Sequence, residues 1–143
     1  MSAAENKKIV EEMWATLYQK NWDALSNFFA PESHYEDVPA PDPGADGPEN
    51  IIKRLRIGLE PIVRFEHEIH RVVAENENVV VEHTETWHFE TGEKLVNHFT
   101  TIHVVEDGKI MLWRDYWDLN TMMAQAPQWW LERIAKFSDS DFA

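Results

Sequence analysis

The sequence contains no cysteine, which excludes disulfide bonds, thiol nucleophiles and cysteine-ligated metals. Basic residues are scarce as well, because 13 lysines and arginines stand against 26 acidic residues and give a formal net charge of −13. A surface of that sign repels nucleic acid and anionic membranes, so we expect neither as a partner. The chain also lacks a run of 18 apolar residues and an apolar signal core near its start. These absences predict a cytoplasmic protein.

Tryptophan, by contrast, is abundant: 7 of the 143 residues are tryptophan, and 43% of the chain is hydrophobic. That hydrophobic content argues against disorder, and the length suits one domain, residues 1–143, with a substantial core. Indole rings in this number often line apolar sites, although packing alone can also use them.

Helical periodicity dominates the first part of the chain. The pattern predicts helices over residues 4–20 and 22–30, a short strand over 33–38, a proline-rich loop over 39–48 and a helix over 49–59. Pro31 ends the second of these helices, and Pro48 suits the first turn of the third.

After Pro61 the pattern changes to the period of two that is typical of strands. Strands are predicted over residues 63–74, 79–89, 94–105 and 109–118, joined by short hairpin turns of which Asp107-Gly108 is the strongest signal. A helical turn over 119–125 and a helix over 127–137 follow, and residues 138–143 are predicted to fray. Helices followed by an antiparallel meander predict an α+β domain, with a twisted sheet wrapped over the helices.

The second long strand carries the most informative pattern. Because side chains on a strand alternate between faces, one face holds Val79, Val81, His83, Glu85, Trp87 and Phe89. Ionisable groups are costly to bury unless they are paired, so two of them on an apolar face indicate a lined cavity rather than a solid core. The alternative is a satisfied His–Glu pair inside a structural polar network. In the functional interpretation, Glu85 takes a proton while His83 orients, donates or stabilises charge.

Two other strands contribute carboxylates. In the last strand, Asp115 shares a face with Trp113 and Trp117. Such an aspartate is either a group whose pKa is tuned for catalysis or one that is hydrogen-bonded for structure, and the pattern leaves both open. Tyr35 and Asp37 share a face of the first short strand, although alone they would be ordinary residues before a turn.

The strand over 94–105 alternates Leu95, Asn97, Phe99, Thr101 and His103 with a second set of mixed polarity. Its pattern therefore does not identify the inner face.

Metal binding is a rival explanation, because the chain holds 7 histidines. His67 and His70 would share a face of a helix, but on a strand they point to opposite faces. His83, Glu85 and Asp37 could imitate a His/carboxylate site, yet no second convergent histidine is evident. Phosphate loops, nucleotide fingerprints and a Gly-x-Ser-x-Gly elbow are absent, so we expect neither a metal nor an organic cofactor.

The element order and these residues together resemble the nuclear transport factor 2-like superfamily, and within it the limonene-1,2-epoxide hydrolase and polyketide cyclase-like branch. The resemblance is most specific at Tyr-Glu-Asp-Val-Pro (35–39), Glu-His-Thr-Glu (82–85) and Trp-Arg-Asp-Tyr-Trp-Asp (113–118). It implies a cone-shaped fold, in which helices close a curved mixed sheet around a deep apolar pocket. It also implies a homodimer paired through the sheet.

In that hydrolase family, an Asp–Arg–Asp trio and a Tyr and Asn pair hold a water that attacks an epoxide. By resemblance, Asp115 is the acid that protonates the epoxide oxygen, and Glu85 is the base that activates water. His83 falls at the arginine position, Tyr35 at the water-binding tyrosine and Asp37 at the asparagine. Histidine can lose its charge and arginine cannot, so the replacement at position 83 puts the family's own reaction in question.

The sequence therefore predicts a cofactor-independent acid/base enzyme whose expected substrate is an apolar, aromatic small molecule. Its expected substrate-binding rings are Trp87, Phe99, Trp113 and Trp117, and the resemblance implies that Asn97 and Phe99 lie at substrate-pocket positions. Trp129 and Trp130 either form part of a lid or pack the last helix on the sheet. A lyase is the leading hypothesis, acting by dehydration or by retro-aldol loss of a small carbonyl such as formaldehyde from an aryl diol. Epoxide hydrolysis is the second hypothesis, and a non-catalytic ligand-binding domain is the third.

Overall fold

The computed structural model describes residues 1–137, and the tail that was predicted to fray lies outside them. The helices are α1 (Ala3–Tyr18), α2 (Trp22–Ser26), α3 (Gly47–Leu59), α4 (Leu119–Gln125) and α5 (Gln128–Ala135). The strands are β1 (His34–Asp37), β2 (Ala45–Asp46), β3 (Ile62–Glu75), β4 (Asn78–Phe89), β5 (Lys94–Glu106) and β6 (Lys109–Tyr116). No helix within residues 1–137 is long and apolar enough to cross a membrane.

All six strands belong to one mixed sheet with the order β2-β1-β6-β5-β4-β3. The strands β3 to β6 form the predicted antiparallel meander, whereas β1 pairs with β6 in parallel. The hairpin at Asp107-Gly108 has positive φ at both residues, as a tight two-residue turn requires. Register shifts in β3 and between β5 and β6 mark irregularities of the bulge type, which bend strands and help the sheet to curve.

The core lies on the concave face of this sheet, under the helices. The odd-numbered residues of β4 from Val79 to Phe89 are buried, as parity predicted. The odd-numbered residues of β5 from Leu95 to Val105 are buried too. The inner face that the pattern of β5 had left undecided is therefore its odd face.

Two elements differ from the sequence-based expectation. The helix expected over 22–30 ends at Ser26, because the next amides, including that of Phe29, bond to carbonyls three residues back in a tighter turn. The expected loop over 39–48 contains β2, which pairs with β1. Periodicity cannot reveal a strand of two residues, since its partner alone defines it. Gly44 permits this approach with a φ of 88°, and a Cβ there would lie 2.2 Å from the Tyr35 carbonyl oxygen.

Candidate active site

The sheet register gathers the predicted catalytic residues on the concave face. Asp37 on β1 pairs with Asp115 on β6, and Asp115 pairs with Thr101 on β5. Glu85 on β4 pairs with Asn97 on β5. Because these strands are neighbours in a curved sheet, their inward side chains converge. The structure brings together Tyr35, Asp37, His83, Glu85 and Asp115.

Glu85 is buried and accepts hydrogen bonds from three side chains. The Tyr18 hydroxyl donates to Oε2 over 2.6 Å, and the Trp87 indole N–H donates to Oε1 over 2.7 Å. Asn97 also hydrogen-bonds this carboxyl. Burial raises the pKa of Glu85 to about 7; the three hydrogen bonds oppose that shift, and the charge of Asp37 adds to it. A carboxyl with this pKa exchanges its proton near neutral pH, as a general base must.

Asp115 is held in a different way, with its two oxygens in unequal surroundings. Its Oδ1 accepts from the Thr101 hydroxyl over 2.6 Å and from the Trp113 indole N–H over 2.8 Å. Its Oδ2 lies 3.4 Å from the Tyr35 hydroxyl oxygen. Burial and the nearby charge of Asp37 raise the pKa of Asp115 well above its usual range, although the two hydrogen bonds oppose the shift. Asp115 therefore holds its proton to a higher pH than an ordinary aspartate, as a general acid must.

Asp37 is surrounded by donors from three parts of the chain. The Tyr35 hydroxyl lies 3.0 Å from each of its carboxylate oxygens, and the Trp117 indole N–H donates to Oδ1 over 2.9 Å. The Arg54 guanidinium on α3 donates to Oδ2 over 3.1 Å and also bonds Asp42. Burial raises the pKa of Tyr35 well above its usual range, so its hydroxyl stays protonated. Tyr35 and Asp37 therefore lie beside Asp115, and Trp117 bonds Asp37 rather than Asp115.

His83 is uncharged. Burial lowers its pKa to about 2, and the neighbouring histidines His67 and His103 lower it further. Its Nδ1 lies 2.8 Å from Nε2 of His67, and its Nε2 lies 3.0 Å from Oγ1 of Thr101. The imidazole stacks on Phe99 with ring centroids 3.7 Å apart. This histidine therefore does not reproduce the cation that the resemblance places at position 83.

Aromatic side chains fill much of the space where the resemblance implied a deep apolar pocket. Trp14 on α1 is 1% exposed, and its ring meets His83 and Trp113 edge-on at centroid distances of 4.6 and 5.0 Å. Its N–H donates to Nε2 of His103 over 3.0 Å. The Phe99 ring is covered by His83. Among the rings expected to bind substrate, Trp113 and Phe99 are therefore packed against other side chains of the protein.

The remaining expected contacts differ in their burial. Trp87 and Asn97 are each 7% exposed, and Trp117 is only half-buried. A surface depression of about 380 Å³ is lined by Val38, Pro39, His98, Tyr116, Trp117 and Asp118. Trp130 packs against Trp87 at a centroid distance of 5.6 Å and donates to the Gly58 carbonyl, so it anchors α5.

Several functional neighbours were missed by sequence reasoning. They are Trp14, Tyr18, Arg54, His67 and Thr101. The first two stand on the apolar stripe of α1, so their inward position had a signal. Thr101 shares a strand face with Asn97 and Phe99, but the pattern of that strand did not identify its inner face. No sequence signal placed Arg54 in the site, because its partner Asp42 lies in a loop whose path the sequence does not determine.

Two of the histidines that raised the question of a metal site lie on opposite faces of the sheet. His67 contacts His83 on the concave side while His70 contacts Thr84, so the two point to opposite faces, as strand parity predicted. Within residues 1–137, no group of three or more histidine and acidic side chains is arranged to hold a metal ion.

An α+β cone with a curved mixed sheet and a polar cluster on its concave face defines a nuclear transport factor 2-like domain. The chain belongs to the family described as the limonene-1,2-epoxide hydrolase catalytic domain, whose sequence pattern matches residues 4–128. No curated protein sequence is similar enough to count as a match.

Solved structures extend the similarity. An LEH-like epoxide hydrolase from M. tuberculosis shares 25% identity, with a TM-score of 0.74 over 86% of this chain and 90% of that one. A protein described as a SnoaL-like polyketide cyclase, from Shewanella putrefaciens, shares 15% identity, with a TM-score of 0.77 over 84% and 94%. A Catenulispora acidiphila protein with a ketosteroid isomerase-like fold shares 23% identity, with a TM-score of 0.72 over 82% and 90%. The last two similarities concern the fold alone.

Proposed function

We propose that this protein is a cofactor-independent lyase that acts on a small, apolar, aromatic substrate by paired proton transfers. The observation that carries the proposal is the contrast between its two buried carboxyl groups. Burial and the charge of Asp37 raise the pKa of Asp115 well above its usual range, while Glu85 has a pKa of about 7 and can accept a proton near neutral pH. Titratable groups whose surroundings give them different proton affinities are the usual mark of an acid and a base in one site.

The reaction that uses both groups most directly is the fragmentation of an aryl 1,3-diol. Glu85 takes the proton of the terminal hydroxyl, the adjacent C–C bond breaks, and formaldehyde leaves. The electrons of that bond form a C=C bond as the benzylic C–O bond breaks, and Asp115 protonates the departing hydroxyl to give water. One proton moves to Glu85 and one leaves Asp115, so the step balances without an oxidant or a reductant. Simple dehydration would use the same pair.

Aromatic substrate chemistry is favoured by the rings near the carboxyl groups. Trp87 donates to Glu85, Trp113 donates to Asp115, and Trp117 donates to Asp37. These indoles place flat apolar surfaces next to each acidic group, which suits an aryl ring beside a reacting carbon.

Epoxide hydrolysis is the second candidate, and membership of the hydrolase family favours it. In that reaction Asp115 protonates the epoxide oxygen and Glu85 activates the attacking water. The neutral state of His83 and the carboxylate of Asp37 count against it, because the family's scheme uses a cation and an amide at these positions. Tyr35 and Asp37 also lie beside Asp115 rather than Glu85, so a water held by them would be nearer the acid.

A product screen by mass spectrometry separates the candidates. Purified protein without added metal or cofactor is incubated with aryl 1,3-diols and with aryl and terpene epoxides. Loss of formaldehyde and water from a diol supports the lyase, whereas gain of water by an epoxide replaces it with the hydrolase. Ligand binding without any product would leave a binding domain.

Variants identify the groups responsible. Glu85→Gln and Asp115→Asn should each lower kcat by a factor of about 10² to 10⁴. Glu82→Gln is the matched control, since Glu82 lies on the outer face of the same strand and pairs with Arg71. His83→Arg should abolish lyase activity, whereas preserved or improved activity on an epoxide would favour the hydrolase.

A further inference from the structure

We propose that His67, His83 and Thr101 form a directed hydrogen-bond chain that keeps the acidic proton of Asp115 on Oδ2, the oxygen nearer Tyr35. The chain crosses the inner face of the sheet from β3 through β4 and β5 to β6. It makes His67 and Thr101 positioning residues, which act through another group rather than on substrate. The effect of the chain on catalysis rests on the proposed function, in which Asp115 is the acid. The direction of the hydrogen bonds in the chain does not depend on that function.

The donors at the Asp115 end define the direction. An indole N–H can only donate, so the Oδ1 that lies 2.8 Å from the Trp113 nitrogen is an acceptor. The Thr101 hydroxyl lies 2.6 Å from the same oxygen and donates to it. Having used its one proton, the Thr101 oxygen accepts from Nε2 of His83, 3.0 Å away. His83 therefore carries its proton on Nε2.

The next link follows from the neutrality of His83. A neutral imidazole has one donor and one acceptor, so Nδ1 of His83 must accept. Its neighbour is Nε2 of His67 at 2.8 Å, which consequently carries a proton. Within residues 1–137, Nδ1 of His67 has no hydrogen-bond partner, and no buried polar side-chain atom lacks one, so this nitrogen reaches solvent. The chain thus runs from the surface to the acid.

Two donors on Oδ1 leave Oδ2 as the site of the acidic proton. Moving that proton to Oδ1 would place it close to the hydrogen of the Trp113 N–H, which points at the same oxygen. It would also require the Thr101 hydroxyl to turn and the two imidazoles to exchange tautomers together. The chain therefore stabilises one of the two forms of the protonated carboxyl. That form directs its proton toward Tyr35, whose hydroxyl also bonds the carboxylate of Asp37.

A second buried histidine shows what a purely structural arrangement looks like. His103 donates from Nδ1 to the Val79 carbonyl over 2.9 Å and accepts at Nε2 from Trp14. That chain ends on a backbone carbonyl and reaches no carboxyl group. His103→Gln is therefore a control that disturbs a buried histidine without disturbing Asp115.

Nitrogen-15 NMR of the histidine rings tests the chain without any substrate. Near neutral pH, both His67 and His83 should show a protonated Nε2 and a bare Nδ1. Thr101→Val removes the acceptor of the His83 proton and should change the His83 signals, whereas Thr101→Ser keeps the hydroxyl and should preserve them. A protonated Nδ1 on His83 of the unaltered protein overturns the proposal, whether or not the protein is a lyase.

Kinetics on the diol then test the positioning role. Thr101→Val and His67→Leu should lower kcat about tenfold or more at nearly constant KM, because they act on the acid and not on binding. Thr101→Ser and His67→Gln, whose amide N–H can replace Nε2–H, should retain most of kcat. Equal losses within each pair, or a loss of kcat in His103→Gln of the same size, overturn the role. Absence of any turnover by the unaltered protein refutes the proposed function, and the NMR result alone then decides the chain.

Discussion

Nη2 of Arg54 lies 3.1 Å from Oδ2 of Asp37, so a cation reaches the carboxyl cluster from α3 while position 83 on β4 is neutral. The two side chains are 13% and 16% exposed, which makes the pair mostly buried. Arg54 also bonds Asp42, and its guanidinium lies 5.6 Å from the centre of the Tyr35 ring. The helix that closes the cone therefore supplies part of the electrostatics of the site.

Arg54→Met should destabilise the protein by about 2 to 4 kcal/mol, because it leaves the mostly buried carboxylate of Asp37 without its cation. Urea denaturation measures the loss. The control is Arg56→Met on the same helix, whose partner Glu60 is exposed and whose removal should cost less than about 1 kcal/mol. Equal losses in both variants would contradict a special role for Arg54.

Activity should rise with pH through about 7, because Glu85 must lose its proton before it can act as a base. Tyr18→Phe removes a hydrogen bond that lowers the pKa of Glu85. The rising limb of the plot of kcat/KM against pH should therefore move to higher pH. Tyr116→Phe, at an exposed tyrosine of β6, should leave the limb in place. A limb that moves to lower pH in Tyr18→Phe would contradict the assignment of Glu85 as the base.

Stability should depend on pH through the buried histidines. Burial lowers the pKa of His103 to about 4, from its ordinary value of 6.5. Between these values, the unfolded state binds a proton that the folded state refuses, so His103 makes the free energy of unfolding fall as pH falls from about 6.5 to 4. The lowered pKa values of His67 and His83 act in the same direction. The raised pKa of Glu85 opposes them.

His103→Gln isolates one of these contributions. The slope of unfolding free energy against pH should become less steep than in the unaltered protein by about one proton, or about 1.4 kcal/mol per pH unit, over most of that range. Urea titrations at several pH values measure both slopes. Identical slopes would show that His103 titrates alike in the folded and unfolded states.

Trp14→Ala should cost about 3 to 5 kcal/mol of stability, since it removes a buried ring from the centre of the concave face. Added indole should recover part of the loss by filling the cavity, and it should raise the melting temperature of this variant alone. Trp22→Ala serves as the control, because Trp22 is only half-buried and bonds the exposed Glu60. No effect of indole would mean that the surrounding side chains collapse into the space.

Much of the fold was predictable because its signals are local. Strand alternation identified the buried face of β4, and the Asp107-Gly108 turn located the last hairpin. The same alternation could not choose the inner face of β5, since both sets of its residues mix polar and apolar groups. It also could not detect β2, whose two residues pair only because Tyr35 and its neighbours lie alongside.

The sequence by itself determined which side chains share a strand face, because side-chain direction follows from backbone geometry alone. It thereby grouped His83 with Glu85 and set Asp115 beside Trp113. Only the tertiary structure decided which of these groups carry charge. The pKa of a buried group depends on desolvation and on partners that are distant in sequence, such as Tyr18 for Glu85 and the Thr101 hydroxyl for Asp115. No local pattern encodes either quantity.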